Sequence, residues 1–184
     1  MWDERYSQAE YVYGKNPNDF LVAVVEQIPQ GRVLCLAEGE GRNAVYLAQQ
    51  GCQVTAVDAS AVGLEKARKL AVERSVELET IAADLSDFSI QPDAWDAIVS
   101  IFCHLPPIVR AKVHRQVVAG LRPHGVFVLE AYTPRQLDFK TGGPPQADLM
   151  MTLATAFKNL GKPSKTQRCK FLKHSFLSLM LPQC

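Results

Sequence analysis

With 184 residues, 47% of them hydrophobic, and a net charge of +1, the chain is one domain's worth of material with enough apolar surface for a core. Six of its 20 bases follow Asp148, after which no acid occurs, so residues 1–148 hold 14 bases against 19 acids. An acidic body argues against a general nucleic-acid binder, which must cluster Lys and Arg against phosphates.

The start, MWDERYSQAEYVYGKNPNDFL, places four aromatics (Trp2, Tyr6, Tyr11, Tyr13) before a helix that opens at PNDF, with Asn18 or Asp19 as its cap. RVLCLA (32–37) is a first strand, its near-continuous hydrophobicity fitting a strand covered on both faces. A helix follows over 42–50, closed by Gly51. Residues 53–58 and 60–75 repeat the strand–helix alternation, 77–84 and 96–102 supply two more strands, and 106–121 is a helix that tolerates proline in its first turn. After the turn Arg122–Gly125, a fifth strand runs over 125–132. This alternation predicts an α/β fold with a doubly wound, Rossmann-like, mostly parallel sheet of order 3-2-1-4-5. Such sheets bind ligands beyond the carboxyl ends of their strands, beside the first one.

Cys35, Cys52, Cys103, Cys169 and Cys184 contain no C-x-x-C pair, and Cys35 and Cys52 read as buried reduced thiols. No metal site is expected. The charged start lacks a secretory core, and no apolar run approaches the roughly 18 residues of a membrane span. A cytoplasmic chain without a membrane or nucleic-acid partner is expected.

The turn after the first strand, Gly39-x-Gly41-x-x-Ala44, fits a dinucleotide fingerprint, and Asp58 ends the second strand about 20 residues on, where a carboxylate takes ribose hydroxyls. The pair points to an adenosine-containing ligand. The plainer reading is that the glycines serve turn geometry and Asp58 caps the next helix. Charge at the turn separates the candidate cofactors. A pyrophosphate wants bare N–H groups at a helix start, whereas Glu38 and Glu40 crowd two carboxylates there, which suits a sulfonium cation bearing an amino group. Asp84, at the end of the third strand, is placed for the exocyclic amine of adenine, with Leu85 covering the ring; a helix-cap aspartate is the alternative. An NAD(P)-dependent oxidoreductase is disfavoured by the glutamates, by Asp84 and by the lack of a Tyr-x-x-x-Lys pair.

The segment GEGRNAVYLAQQGCQVTAVDAS, the WDERY…YVYGKNPNDFL start and the LRPxG turn resemble the class I S-adenosyl-L-methionine (SAM)-dependent methyltransferases, and within them the tellurite-resistance type. The resemblance covers roughly residues 1–153 and implies a methyltransferase domain there, with 1–21 as a lid over the SAM pocket. It places Glu38, Gly39, Glu40, Gly41 and Arg42 around the methionine moiety, with Arg5 or Tyr13 near its carboxylate. Asp58 and Ala59 fall at the ribose, Asp84 and Leu85 at the adenine, and Ile101 and Phe102 along the reaction side. One departure stands out: the family's first-strand acid corresponds here to Cys35 and a family glycine to Ala37, so either Glu38 supplies the charge from a shifted position or amino-group recognition is weaker.

Methyl transfer is an in-line displacement in which positive charge on sulfur is neutralised, and orientation alone is worth up to roughly 7–11 kcal/mol. A soft anionic acceptor (a thiolate, or a selenium or tellurium oxyanion) needs no general base, and no base announces itself. His104 is the one histidine at a strand's carboxyl end on the ligand side; it is the candidate catalytic group, with a loop hydrogen bond as its structural alternative. Tyr6, His104, Tyr132 and Arg135 are the candidate acceptor contacts. The expected function is transfer of a methyl group from SAM to a small molecule. A SAM-binding protein without turnover is the rival from another class.

The last stretch departs from this pattern. FKNLGKPSKTQRCKFLKHSFLSLMLPQC offers no clear strand pair with a hairpin turn and is abruptly basic. Residues 154–184 therefore read as an atypical tail, of the kind a shifted reading frame or a recombined terminus produces; a membrane-surface or nucleic-acid tail is the alternative. Without the usual closing hairpin, the fifth strand is expected to be an unpaired apolar edge, with poor stability and compromised activity.

Overall fold

The computed structural model describes residues 2–160 and the strand Phe176–Pro182. A short helix α1 (Trp2–Tyr6) and α2 (Asp19–Val24) precede the alternating unit β1 (Arg32–Leu36), α3 (Arg42–Gln49), β2 (Gln53–Asp58), α4 (Ala61–Glu73), β3 (Glu79–Ala82), β4 (Trp95–Ile101), α5 (Pro107–Gly120) and β5 (Leu121–Tyr132). Then come α6 (Gln136–Phe139), α7 (Leu153–Leu160) and β6 (Phe176–Pro182). The sheet order is β3-β2-β1-β4-β5-β6, the first five strands parallel and β6 antiparallel to β5. The order reverses between β1 and β4, which puts the crevice of a doubly wound sheet above the glycine turn.

Both sheet faces are covered, which explains the continuous apolar runs. Successive β1 residues alternate between two cores: Leu34 and Leu36 pack with Phe127, Leu129 and the α5 residues Val113 and Val117, while Val33 and Cys35 pack with Phe20, Leu21 and Val24 of α2 and Leu47 of α3. The Asn18 side chain accepts the Leu21 N–H at 3.0 Å and so starts α2. Ser60 starts α4 in the same way, accepting from Gly63 N.

The carboxyl end corrects the reading of an exposed edge. β6 pairs with β5 from Val126↔Pro182 to Tyr132↔Phe176, so β5 is flanked on both sides. Among the described residues a single antiparallel strand closes the sheet, and FLSLMLP by itself lacks the two alternating segments and turn of a hairpin. α7 straddles the boundary expected at 153/154, with Ala156 fully buried and Phe157 and Leu160 packed on the core beside α5. The basic residues Lys162, Lys165, Arg168, Lys170 and Lys173 lie outside the described residues. No helix among the described residues is long and apolar enough to cross a membrane.

Candidate cofactor and acceptor site

The turn leaves β1 through Ala37, a non-glycine residue at φ +51, and continues through Gly39 (φ +66) and Gly41 (φ +90). Ala37 thus occupies a backbone conformation that favours glycine. Gly41 is needed for closeness as well: a Cβ there would lie 2.6 Å from the Ala67 Cβ and 2.7 Å from its Cα. The turn is therefore pressed onto α4.

Glu38 sits beside Cys35 at this turn. One oxygen of its carboxylate accepts the N–H groups of Asn43 (2.9 Å) and Ala44 (2.8 Å), capping α3. The Cys35 thiol lies fully buried against the same carboxylate, and burial pushes it well up. Burial also pushes Glu38 up to about 7, against the pull of those two N–H groups and of Arg42. Among the described residues no ion pair within 4.0 Å holds Glu38. A carboxylate desolvated by its surroundings and outside any ion pair can accept a cationic group.

Asp58 is buried, with Oδ2 accepting from Gly39 N and Oδ1 from Ser60 N, both at 2.8 Å. It ties the turn to the end of β2, while the cap of the following helix is Ser60 and not, as the plainer reading had it, Asp58. Burial raises its pKa despite those amides. Ala59 is exposed at the same corner. Asp84 is exposed and accepts the Ser86 N–H at 2.7 Å, which lowers its pKa. It shapes a local turn and keeps its outer oxygen in solvent.

Three of the expected residues are engaged within the protein. Glu40 pairs with the Lys66 ammonium and accepts Val12 N at 2.8 Å. Of the two turn carboxylates, Glu38 is thus the one outside an ion pair among the described residues. Leu85 and Ile101 belong to the core at 5% and 8% exposure.

The N-terminal segment sits on the turn. Tyr6 is buried against Gly39 and Gly63, where a Cβ would meet its ring atoms or hydroxyl at 2.7 and 2.9 Å. Trp2 stacks on Tyr6 at 5.5 Å. Arg5 is exposed, its guanidinium 5.5 Å from the Trp2 ring and 5.4 Å from the half-exposed Tyr13 ring. Asp3 accepts the Ser60 hydroxyl and draws α1 onto the start of α4.

Beyond the ends of β4 and β5 lies an aromatic cluster. Tyr132 stacks on Phe102 (4.8 Å) and on His104 (5.5 Å). Phe102 takes φ +53 and donates its N–H to the Glu130 carbonyl at 2.8 Å. His104 carries a buried Nδ1 without a hydrogen-bond partner, and burial depresses its pKa against a backbone hydrogen bond at Leu149, favouring the neutral ring. Gly143 backs Tyr132 so closely that a Cβ would sit 3.0 Å from its ring. Arg135 is exposed at the start of α6 and away from these contacts.

The structure adds residues that sequence reading missed. Buried Glu130 accepts from Asn18 Nδ2 at 2.6 Å, Asn18 N donates to Asn43 Oδ1, and Asn43 N reaches Glu38. This network links β5, the α2 cap and the turn across more than 100 residues of chain. Gln136, buried beside the exposed Arg135, fixes the following loop by donating to Thr141 Oγ1 and Gly142 O. A separate cavity of about 630 Å³, lined by Arg32, Cys52, Thr55, Glu77 and Glu79 among others, opens at the opposite end of the sheet.

The residues present fit SAM. Glu38 would take its ammonium group, Asp58 its ribose and the outer oxygen of Asp84 its adenine amine. Comparison with known proteins agrees. A family model described as a methyltransferase domain matches residues 33–125, just over half the chain. The chain is 34% identical over 106 residues to a tRNA (uracil(54)-C(5))-methyltransferase of Pyrococcus furiosus, covering 57% of this chain and 24% of that protein. It is 28% identical over 115 residues to a carboxy-S-adenosyl-L-methionine synthase of Aeromonas hydrophila, covering 61% and 44%. It thus spans less than half the length of these curated relatives. The fold matches, at a TM-score of 0.75 and 18% identity over 99% of this chain and 90% of the other, a structure described for conversion of a disulfide bond into a thioacetal group during echinomycin biosynthesis. From the glycine turn, the sheet order and the family match together, the chain belongs to the class I SAM-dependent methyltransferases, in the methyltransferase-domain family.

Proposed function

We propose that this chain transfers a methyl group from SAM to a small-molecule acceptor, a soft nucleophile of the thiolate or selenium- or tellurium-oxyanion kind, as in the tellurite-resistance type. The observation that carries the reading is Glu38: a half-buried carboxylate beside Asp58 at the switch point, held by amide groups and, among the described residues, in no ion pair within 4.0 Å. When bound, SAM supplies the electrophilic methyl carbon, and the electron pair of the breaking carbon–sulfur bond returns to sulfur. The protein's share is placement and exclusion of water: Glu38 and Asp58 hold the two ends of the cofactor, and Tyr6 with Trp2 closes the lid.

The acceptor side suits a soft nucleophile because its candidate base, His104, is weakened by burial. His104 favours its neutral form and is locked against Tyr132, with Phe102 completing an apolar wall. An acceptor already anionic near neutral pH attacks without giving up a proton. His104 Nδ1, unpartnered and buried, is positioned to receive a proton from a thiol acceptor. Tyr132 and His104 are the acceptor contacts in this reading, and Arg135 is left in solvent. The acidic surface of residues 1–148 weighs against a tRNA acceptor like that of the Pyrococcus furiosus relative.

A labelled-methyl transfer assay over thiols, selenite and tellurite, with tRNA as a counter-substrate, tests the reading. Transfer to at least one soft acceptor, reduced at least tenfold in His104→Ala for thiols alone, is the expected result. Transfer to tRNA only would overturn the acceptor class, and SAM binding without any transfer would favour a non-catalytic SAM-binding protein.

A further inference from the structure

We propose that Lys66 of α4 and Glu40 of the glycine turn form a positioning pair that clamps the lid onto the cofactor pocket and so sets how long the cofactor is retained. The proposal rests on the SAM-binding reading above. Lys66 is 8% exposed, and its ammonium has three donors. Shared among them are four acceptors of the N-terminal segment and the turn: the carbonyls of Tyr6 (3.4 Å), Gln8 (3.0 Å) and Glu10 (2.6 Å), and the Glu40 carboxylate. The ammonium also lies 4.8 Å from the centre of the Tyr11 ring, whose hydroxyl donates back to the Lys66 carbonyl at 3.0 Å. Glu40 completes the clamp by accepting Val12 N with its second oxygen.

Residues 6–12 are thereby referenced at both ends to the turn that carries Gly39. The face of α4 that does this is compact. Gly63, Lys66 and Ala67 lie within about one helical turn and receive Tyr6, the lid carbonyls and Gly41 respectively. Gly63 has no side chain to lift Tyr6 off the turn, and Ala67 is small enough for Gly41 to seat. A charged pair in this place is a poor way to gain stability, because both charges leave water, and an apolar side chain of equal volume fills such a space as well. What the pair adds is register: three carbonyls in an irregular segment have one arrangement that satisfies a single ammonium. Tyr6 keeps its place over Gly39 only while that arrangement holds. Releasing it frees the lid and speeds cofactor escape, so the effect falls on dissociation more than on association.

The experiment compares wild type, Lys66→Met and Glu40→Gln by titration with S-adenosylhomocysteine and by amide hydrogen exchange. Lys66→Met is expected to weaken binding at least tenfold, through faster dissociation, and to speed exchange at residues 7–13 at least tenfold while β1 and β4 keep their protection. Saturating S-adenosylhomocysteine should then restore protection to 7–13, a response that a purely structural defect would not give. Glu40→Gln, which keeps shape and an oxygen for Lys66, should change both quantities in the same direction by a smaller factor, and it carries the test if Lys66→Met does not fold. Wild-type affinity and wild-type exchange in the folded variants would overturn the proposal while leaving SAM binding intact. A wild type that fails to bind S-adenosylhomocysteine at all would instead overturn the reading beneath it.

Discussion

Replacing Glu38 by Gln should make the protein more stable at high pH and worse at holding its cofactor. The wild-type carboxyl stands at about 7 in the folded chain against 4.5 when free. Between those values the folded state binds more protons than the unfolded one, so this group removes stability as pH rises through that window. The full difference is worth about 3 kcal/mol, and the partial exposure of the side chain trims it to roughly 1–3 kcal/mol. Glutamine keeps an oxygen for Asn43 N and Ala44 N but cannot ionise, so it escapes the penalty. Urea unfolding of both proteins at pH 5 and pH 9 measures this directly. The stability of Glu38→Gln relative to wild type should improve by about 1–3 kcal/mol from the lower to the higher pH. At pH 8, S-adenosylhomocysteine should raise the wild-type midpoint much more than that of the variant, because its ammonium neutralises Glu38 alone. A stability difference flat from pH 5 to 9 would refute the reasoning.

Other perturbations test other parts of the architecture. Gly41→Ala meets both a left-handed backbone and the Ala67 contacts, and should cost about 2–4 kcal/mol by calorimetry. Gly14→Ala, at φ +71 with open space around it, should cost only about 1 kcal/mol. Ala37→Gly should be neutral or stabilising by up to about 1 kcal/mol, whereas Ala37→Val should destabilise by about 1–3 kcal/mol, since φ +51 penalises a branched side chain. His114, buried edge-on to Phe127 at 5.9 Å, is held down to about 4 by burial. Its folded state binds fewer protons than the unfolded chain between pH 6.5 and 4, so it removes stability as pH falls through that window. His114→Phe should flatten that acid limb in denaturant titrations.

What the sequence made legible was local. Alternating apolar runs fixed the parallel strands because each is buried on both faces, and the two glycines located the turn because their backbone conformations are confined to few residues. Asp58 could be placed by its spacing from the turn. What escaped depends on contacts between distant segments. Lys66 reads as one more charge on a helix with a polar face, and only the fold brings the lid carbonyls to it. Glu40 looked like a partner of Glu38 because side-chain direction at a turn cannot be read from adjacency. Asn18 and Glu130 are 112 positions apart, and neither has a local signature beyond a helix cap and an acid in an apolar strand. Leu85 and Ile101 sit at the expected strand ends with little of either side chain exposed. β6 escaped because, among the described residues, it closes the sheet without a hairpin partner to mark it, and its pairing covers the edge expected at β5.

The central claim is that the turn between β1 and α3 holds an adenosyl sulfur compound with Glu38 and Asp58. Isothermal titration of the protein with S-adenosylhomocysteine and with NADH tests it most directly. The account predicts saturable heat for S-adenosylhomocysteine, lost at least tenfold in affinity in Asp58→Ala, and none for NADH. Saturable binding of NADH with none of S-adenosylhomocysteine would contradict it.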